Sequence, residues 1–324
     1  MEKVSWGIIG CGAVAEQKSG PAFQKSVNSS LLAVMRRNSD KAKDFARRHG
    51  VALWYDNADD LLNNSEISAV YIATPPVSHL ELTLKAIKAG KNIYLEKPMA
   101  LNKEEANIIL EALKNSPVKL TLAHYRRKLP VFRKVFELLN KQVIGDVRFV
   151  DIRILQSQKS QNGNSLEENW RVNPKVSGGG YFHDLAPHHL DLMLHFFGDF
   201  DQAQGFSDNQ SHNYKAKDIV NGIATFTNGV HLRGIWNFNV SEMHEKDQCI
   251  IYGSKGSIEF SFFGNKVIVK GVNSNATFSF EQIPHVQQPM VEATVKYFLG
   301  EERINPCSAE EGLKTLEIVD IFSR

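Results

Sequence analysis

The sequence predicts an α/β protein in two parts: an N-terminal doubly wound parallel sheet, then an α+β part built on an open, mostly antiparallel sheet. Three observations predict it. From residue 4 to about 122, short apolar runs alternate with helical patterns, as expected of a parallel sheet covered on both faces. Beyond about residue 125 the pattern becomes one of successive strands, with Asn228-Gly229 between two of them as a hairpin signal. The 324 residues are enough for two domains. The boundary is expected at 122/123, giving domains 1–122 and 123–324.

In the first part, Val4 to Ile9 reads as a strand that runs into a glycine turn and a helix start. Leu31 to Met35 is a second strand. "SDKAKDFARRHG" follows as a helix opened by Ser39 or Asp40 and closed by Gly50. Ala69 to Ala73 is fully apolar, a buried strand. Ser78 and Glu81 have capping-box spacing before a helix that ends at Gly90. Ile93 to Leu95 is the next strand, "NKEEANIILEALKNS" the next helix, and "VKLTLAH" (118–124) one more strand. The second part opens with the helix "LPVFRKVFELLNK". Its strands are "VRFVDIRILQS", "GIATFTNGVHLRGIWNFN", "QCIIYGSKGSIEFSFFGNKVIVKG" and "ATFSFEQ", interrupted by the helix "YFHDLAPHHLDLMLHFFG". Helices around 289–299 and 308–322 finish the chain.

Composition narrows the function. Hydrophobic residues make up 42% and charged residues 23%, and the formal net charge is +2. That balance gives no electrostatic affinity for nucleic acid or an anionic membrane. Cys11, Cys249 and Cys307 form no CxxC pair and no even-numbered framework, which argues against a disulfide scaffold or a cysteine zinc site. The start of the chain lacks a leader pattern, and no apolar run reaches bilayer length. A cytoplasmic location is expected.

"GIIGCGAVA" carries the first chemistry. Gly10-Cys11-Gly12-Ala13-Val14-Ala15 is the GxGxxA form of the dinucleotide fingerprint, and it sits between the first strand and a helix. Gly10 permits the tight turn, Gly12 lets backbone approach a pyrophosphate, and Ala15 lets the helix pack on the sheet. The second strand ends in "RRN" where an acid would read the adenosine ribose of NAD. Arg36 and Arg37 suit a 2′-phosphate instead, so NADP(H) is favoured, with NAD(H) possible.

Ligands of an open parallel sheet bind beyond the carboxyl ends of its strands. Thr74-Pro75-Pro76 and Glu96-Lys97-Pro98 both lie there. Proline restrains the residue before it, so Lys97 is aimed at a substrate, or else is a surface lysine before a helix start. In the later helix, Asp184, His188, Asp191 and His195 are spaced by four, three and four residues and share a face. That face could transfer protons, hold a divalent ion, or be a hydrogen-bonded polar surface. Leu185, Leu192, Met193 and Phe196 read as core, and Gly178 to Gly180 as a flexible approach to the helix.

Taken in order, "GIIGCGAVA", "YIATPPVSHLELTLKAIKAGKNIYLEKPMA", "HYRRKLPVFRKVFELLNKQVIGDV" and "NWRVNPKVSGGGYFHDLAPHHLD" resemble the Gfo/Idh/MocA family of NAD(P)-dependent oxidoreductases. The resemblance covers nearly the whole chain. It implies a Rossmann domain followed by an open-sheet domain for substrate binding and oligomerisation, in a homodimer or homotetramer joined through that sheet. It implies hydride transfer between a nicotinamide and a sugar, cyclitol or related hydroxyl or carbonyl compound, without a metal. Lys97, Asp184 and His188 map onto the family's catalytic positions: His188 as the base, Asp184 holding its tautomer, Lys97 donating to the substrate oxygen. Cofactor contacts are expected from Gly10, Gly12, Ala13, Val14, Arg36, Arg37, Thr74, Pro75, His79, Glu96, Lys97, Trp170 and Arg171. Substrate contacts are expected from Lys97, Tyr125, Arg126, Trp170, Asp184 and His188, with His189 and the polar run 158–169, read as a flap, as further selectors. Pro76 departs from the asparagine of many members, and Arg36 from the acid of NAD-preferring ones. Two rivals share the scaffold: a glycosidase that retains its nicotinamide, and a non-catalytic dinucleotide-binding regulator.

Overall fold

The structure is a computed structural model that describes residues 2–158, 169–272 and 275–324. Most of the polar run read as a flap, 159–168, lies outside the described residues. Two compact units divide the chain: Met1–Arg126 with Ile283–Leu313, and Arg127–Gln282 with Lys314–Arg324. The first unit thus extends four residues past the expected boundary and regains a segment from near the end of the chain.

The first unit runs β1 (Val4–Ile9), α1 (Gly20–Lys25), β2 (Ser29–Met35), α2 (Ser39–His49), β3 (Leu53–Tyr55), α3 (Ala58–Asn63) and β4 (Ala69–Ile72). It continues through α4 (His79–Lys88), β5 (Asn92–Leu95), α5 (Lys103–Lys114) and β6 (Leu120–Leu122). The strands form one sheet in the order β3-β2-β1-β4-β5-β6, parallel throughout. Every residue of β4 is buried, as a strand covered on both faces requires. β3 and α3 are additional to the expected elements; they are only three and six residues long, too short for a periodic signal.

Local chemistry corrects two of the expected helix starts. Asn38, rather than Ser39 or Asp40, caps α2 by accepting from the Lys41 N–H at 2.9 Å, while Gly50 closes the helix at φ +63°. Ser78 makes no capping box with Glu81. Its hydroxyl donates to the Pro75 carbonyl at 3.0 Å, because a short 3₁₀ turn (Pro76–Ser78) precedes α4. At α5, by contrast, Asn102 accepts from the Glu105 N–H at 2.9 Å and Glu105 accepts from the Leu101 N–H at 3.1 Å. Lys91 of the "AGK" stretch is structural. It is buried and donates to the carbonyls of Asn64 and Ile67, both at 2.8 Å.

The second unit begins with α6 (Pro130–Asn140) and β7 (Val147–Leu155), then α7 (Pro174–Ser177) and α8 (Tyr181–Phe197). The strands β8 (Phe200–Asp208), β9 (Ile219–Phe226), β10 (His231–Asn237), β11 (Lys246–Gly253), β12 (Gly256–Phe260), β13 (Lys266–Gly271) and β14 (Asn275–Ser279) follow. The sheet order is β14-β13-β12-β11-β7-β10-β9-β8, with β7–β10 its one parallel pair. Asn228-Gly229 does close the β9–β10 hairpin, in a three-residue loop with Gly229 at φ +84° and the Phe226 N–H bonded to Val230 O at 2.8 Å.

One face of this sheet is the core. Val150, Ile152 and Ile154 of β7 and Trp236 of β10 pack with Phe182, Leu190, Leu192 and Met193 of α8, and with Phe132 of α6. Leu185 and Phe196 pack at its edge, partly buried. The other face is open. Phe206 is 67% and Ile223 56% exposed there, beside a hollow of about 680 Å³ lined by Phe149, Gln204, Thr225 and Arg233 among others.

Two helices finish the chain, α9 (Gln288–Leu299) and α10 (Ala309–Phe322). α9 belongs to the first unit. Its Phe298 lies 5.7 Å from Trp6 of β1, within an aromatic cluster that continues through Phe23 to Tyr71 and Tyr94. Burying those rings explains why this late segment returns to the first sheet. Among the described residues, no helix is long and apolar enough to cross a membrane.

Candidate active site

The glycine turn lies where the sheet order reverses, between β1 and β4. Gly10 has φ +96°, and a Cβ on it would come within 2.9 Å of Thr74 Cγ2 and 3.0 Å of the Ala73 backbone. Only glycine fits there. The Gly10 and Cys11 N–H groups are tied to the Met35 carbonyl at 2.9 and 3.1 Å, which fixes the turn to the end of β2. A Cβ on Gly12 would meet nothing nearer than 4.0 Å, so backbone there is open to a close ligand. Helical backbone starts at Ala13, so the N–H groups of the first turn, Val14's among them, lack intrahelical acceptors.

Charge around the turn is also ordered. Arg36 Nη1 is 3.5 Å from the Cys11 carbonyl, beside the turn, and Arg37 is exposed. Glu16 could repel a phosphate, but Arg48 chelates it and the His49 ring is 2.6 Å away. The Arg48 hydrogen bonds hold the Glu16 carboxyl down to about 2, so it stays ionised and its charge is compensated. Burial pushes the Cys11 thiol up to about 11, leaving it inert near neutrality. Open backbone at a helix start, a cramped glycine and a neighbouring arginine together fit a dinucleotide, with its pyrophosphate on the turn.

Beyond β5, Lys97 is half-buried in a chain that is held on both sides. Tyr71 donates to Glu96 Oε1 at 2.5 Å, and Glu96 Oε2 accepts from the Lys97 N–H at 3.3 Å. The His79 ring is fully buried between the Pro98 carbonyl (2.8 Å) and the Thr74 carbonyl (2.9 Å). Burial lowers its pKa, so the ring is neutral and donates to one of the two carbonyls at a time. His79 thereby joins the ends of β4 and β5. Tyr125 and Arg126 follow β6. Both are buried, with the guanidinium 5.3 Å from the tyrosine ring centre.

In the second unit, the four polar residues of α8 do share a face, but not one role. Arg127 grips Asp191 through bonds of 2.7, 2.9 and 3.2 Å, with both side chains buried. His195 stacks on Phe136 at 5.0 Å. The remaining pair, Asp184 and His188, lies toward the start of the helix. Arg171 donates to Asp184 at 2.9 Å and lies 4.6 Å from the Trp170 ring centre, which ties the "WR" pair to α8. His188 is buried, and Pro187 before it removes the helical bond to the His183 carbonyl. His189 is wholly buried, its ring centre 4.2 Å from that of Phe262 with the planes tilted at 43°, and it accepts from Trp236 Nε1 at 2.9 Å.

The glycines before α8 are also not a flexible approach. Gly180 has φ +91° and a Cβ there would lie 2.4 Å from Ala216 Cβ; one on Gly179 would strike the His183 ring. Gly178 has φ +91°, and Gly179 and Gly180 are glycines because the start of the helix is crowded. That crowding buries His183, whose pKa falls to about 4 for this reason.

A fingerprint turn at the switch point of a six-stranded parallel sheet defines a dinucleotide-binding fold, and comparison with known proteins gives its class. Residues 4–124 match the family described as "Oxidoreductase family, NAD-binding Rossmann fold", and residues 132–259 match the GFO/IDH/MocA C-terminal domain. The chain belongs to the Gfo/Idh/MocA oxidoreductases. An oxidoreductase of Formosa agariphila is 52% identical over 99% of this chain and 98% of its own length. The crystal structure of an oxidoreductase from Thermotoga maritima has the same fold, with a TM-score of 0.88 at 24% identity over 99% of this chain and 96% of that one. So does levoglucosan dehydrogenase in complex with NADH and levoglucosan, with a TM-score of 0.87 at 21% identity over the same shares.

Proposed function

We propose that this oxidoreductase moves hydride between NADP(H), in preference to NAD(H), and a hydroxyl or carbonyl carbon of a sugar or polyol. The observation that carries the reading is the clamped Lys97 beyond β5, on the same edge of the parallel sheet as the glycine turn beyond β1. The turn backbone and helix start would hold the pyrophosphate, and Arg36 and Arg37 the 2′-phosphate. The nicotinamide supplies the hydride acceptor or donor.

The chain's own residues supply proton handling and charge. His188 takes the proton from the substrate hydroxyl, and Lys97 donates to the oxygen as negative charge develops on it. Asp184, itself held by Arg171, orients the base. A sugar substrate has support in the likeness to levoglucosan dehydrogenase and in the polar pair Arg171–Asp184. The exposed, partly apolar face of the second sheet suits a second copy of the chain, giving a homodimer or homotetramer.

The test is a panel of polyols and keto-sugars, levoglucosan included, with NADP(H) and NAD(H), followed at the absorbance of the reduced nicotinamide. On any compound turned over, Lys97→Ala and His188→Ala should each lower kcat by about a hundredfold or more, with dinucleotide affinity retained. Full activity in both variants would overturn the assignment of roles. Release of free sugar without net cofactor turnover would show the glycosidase instead.

A further inference from the structure

Gln287 has no part in the reading above. Yet it is 1% exposed, and it bonds a residue 191 positions away. It stands just before α9, in the late segment that returns to the first unit. Its Nε2 donates to Glu96 Oε1 at 2.7 Å, and its Oε1 accepts from the Tyr94 hydroxyl at 3.1 Å. Tyr71 donates to the same Glu96 oxygen at 2.5 Å, while Glu96 Oε2 accepts from the Lys97 N–H.

Chemistry fixes the polarity of this chain. A carboxylate only accepts, so the amide must turn its NH₂ toward Glu96. The amide oxygen then needs a donor, and Tyr94 provides one. Both phenols remain protonated donors, because burial, reinforced by the charge of Glu96, raises their pKa values well above the usual range. The result is a buried carboxylate whose two oxygens are both committed to neutral donors. Its immediate neighbour in sequence is the lysine proposed to act on substrate.

We propose that Gln287, together with Tyr71, is a positioning residue for Lys97. By engaging Glu96, the two keep its charge from pairing with the adjacent ammonium and hold the Glu96–Lys97 backbone still. This deepens the functional reading and rests on its assignment of Lys97. The network explains why a polar side chain from so late in the chain is buried beneath the first sheet's carboxyl edge. It also makes α9 part of the site's construction, although α9 offers no group to a substrate.

The test reads Lys97 directly and needs no substrate. Full-length wild type, Gln287→Leu, Tyr71→Phe, Glu96→Ala and the Gln287→Leu/Glu96→Ala pair are trace-acetylated with acetic anhydride at pH 8.5. Mass spectrometry then gives the yield at Lys97 relative to the exposed Lys114. Gln287→Leu should slow acetylation of Lys97 about threefold or more, because the released carboxylate pairs with the amine and withdraws it. Tyr71→Phe should act in the same direction by less, and it carries the test if Gln287→Leu does not fold. On the Glu96→Ala background, Gln287→Leu should have no further effect, since the influence passes through Glu96. Wild-type labelling in both single variants, or an equal effect with and without Glu96, would overturn the proposal. A Lys97→Ala enzyme that still turns over a polyol would instead refute the role of Lys97 and leave the labelling result standing.

Discussion

Replacing Asp191 with asparagine separates two readings of the polar face of α8. The sequence spacing allows Asp191 a chemical role beside His188, whereas the structure gives it to Arg127 through three contacts of 2.7–3.2 Å. The two side chains are 1% and 3% exposed, so neither recovers hydration when the other is lost. Breaking such a buried pair by removing one of its charges costs about 3–5 kcal/mol. At roughly 2–4 °C per kcal/mol for a unit of this size, the melting temperature should fall by about 10 °C. Circular dichroism melts and urea titration measure it, with dinucleotide affinity as a check on the first unit. Asp191→Leu combined with Arg127→Met should recover much of the loss, because the pair can be exchanged for apolar packing whereas half of it cannot. An Asp191→Asn protein that melts like wild type but has lost all turnover would refute this reasoning and return Asp191 to the chemistry.

Arg36→Ala should weaken NADPH binding by tenfold or more while changing NADH affinity little, as read by fluorescence titration; equal losses would remove the basis for an NADP preference. His183 should make the protein sensitive to acid. Its folded pKa of about 4 lies below the unfolded value near 6.5, so its contribution to stability is complete above about pH 6.5. That contribution is lost as pH falls toward 4, by on the order of 3 kcal/mol, because the unfolded chain takes up a proton that the folded chain resists. Urea midpoints measured from pH 7 to 4 should therefore fall less steeply in His183→Asn than in wild type, and parallel slopes would contradict the burial argument. Ile223→Asp, on the open sheet face, should shift the protein to a smaller species in light scattering coupled to size exclusion if that face joins two copies. An unchanged mass would exclude the face as the interface.

Much of the fold is legible in the sequence where a local rule suffices. β1, β4 and β5 are runs of buried apolar residues, and α5 and α8 have full-length periodic patterns, so their ends fall within a few residues of expectation. Caps are less legible because several residues can compete for one N–H: Asn38 outdoes Ser39 and Asp40, and Ser78 prefers the Pro75 carbonyl. The return of α9 to the first sheet has no local signal at all. It follows from burial of Phe298 against Trp6, a contact between opposite ends of the chain.

The same distinction runs through the candidate site. Spacing alone can put Asp184, His188, Asp191 and His195 on one face, because the helical repeat is a property of the backbone. It cannot say which of them meets Arg127 or Phe136, because those partners come from other elements. Motifs are similarly mixed. In "AGKNIYLEKP", Lys91 binds carbonyls and Glu96 accepts from a phenol and an amide, so two of the three charged residues are construction, and Lys97 is the one proposed for chemistry. A lysine next to a carboxylate is useful as a donor only if that carboxylate is otherwise engaged. The donors that engage it, Tyr71 and Gln287, come from the neighbouring strand and from the far end of the chain, where a motif cannot reach. Substituting the construction residues should therefore change how Lys97 behaves, whereas substituting Lys97 should leave their network intact.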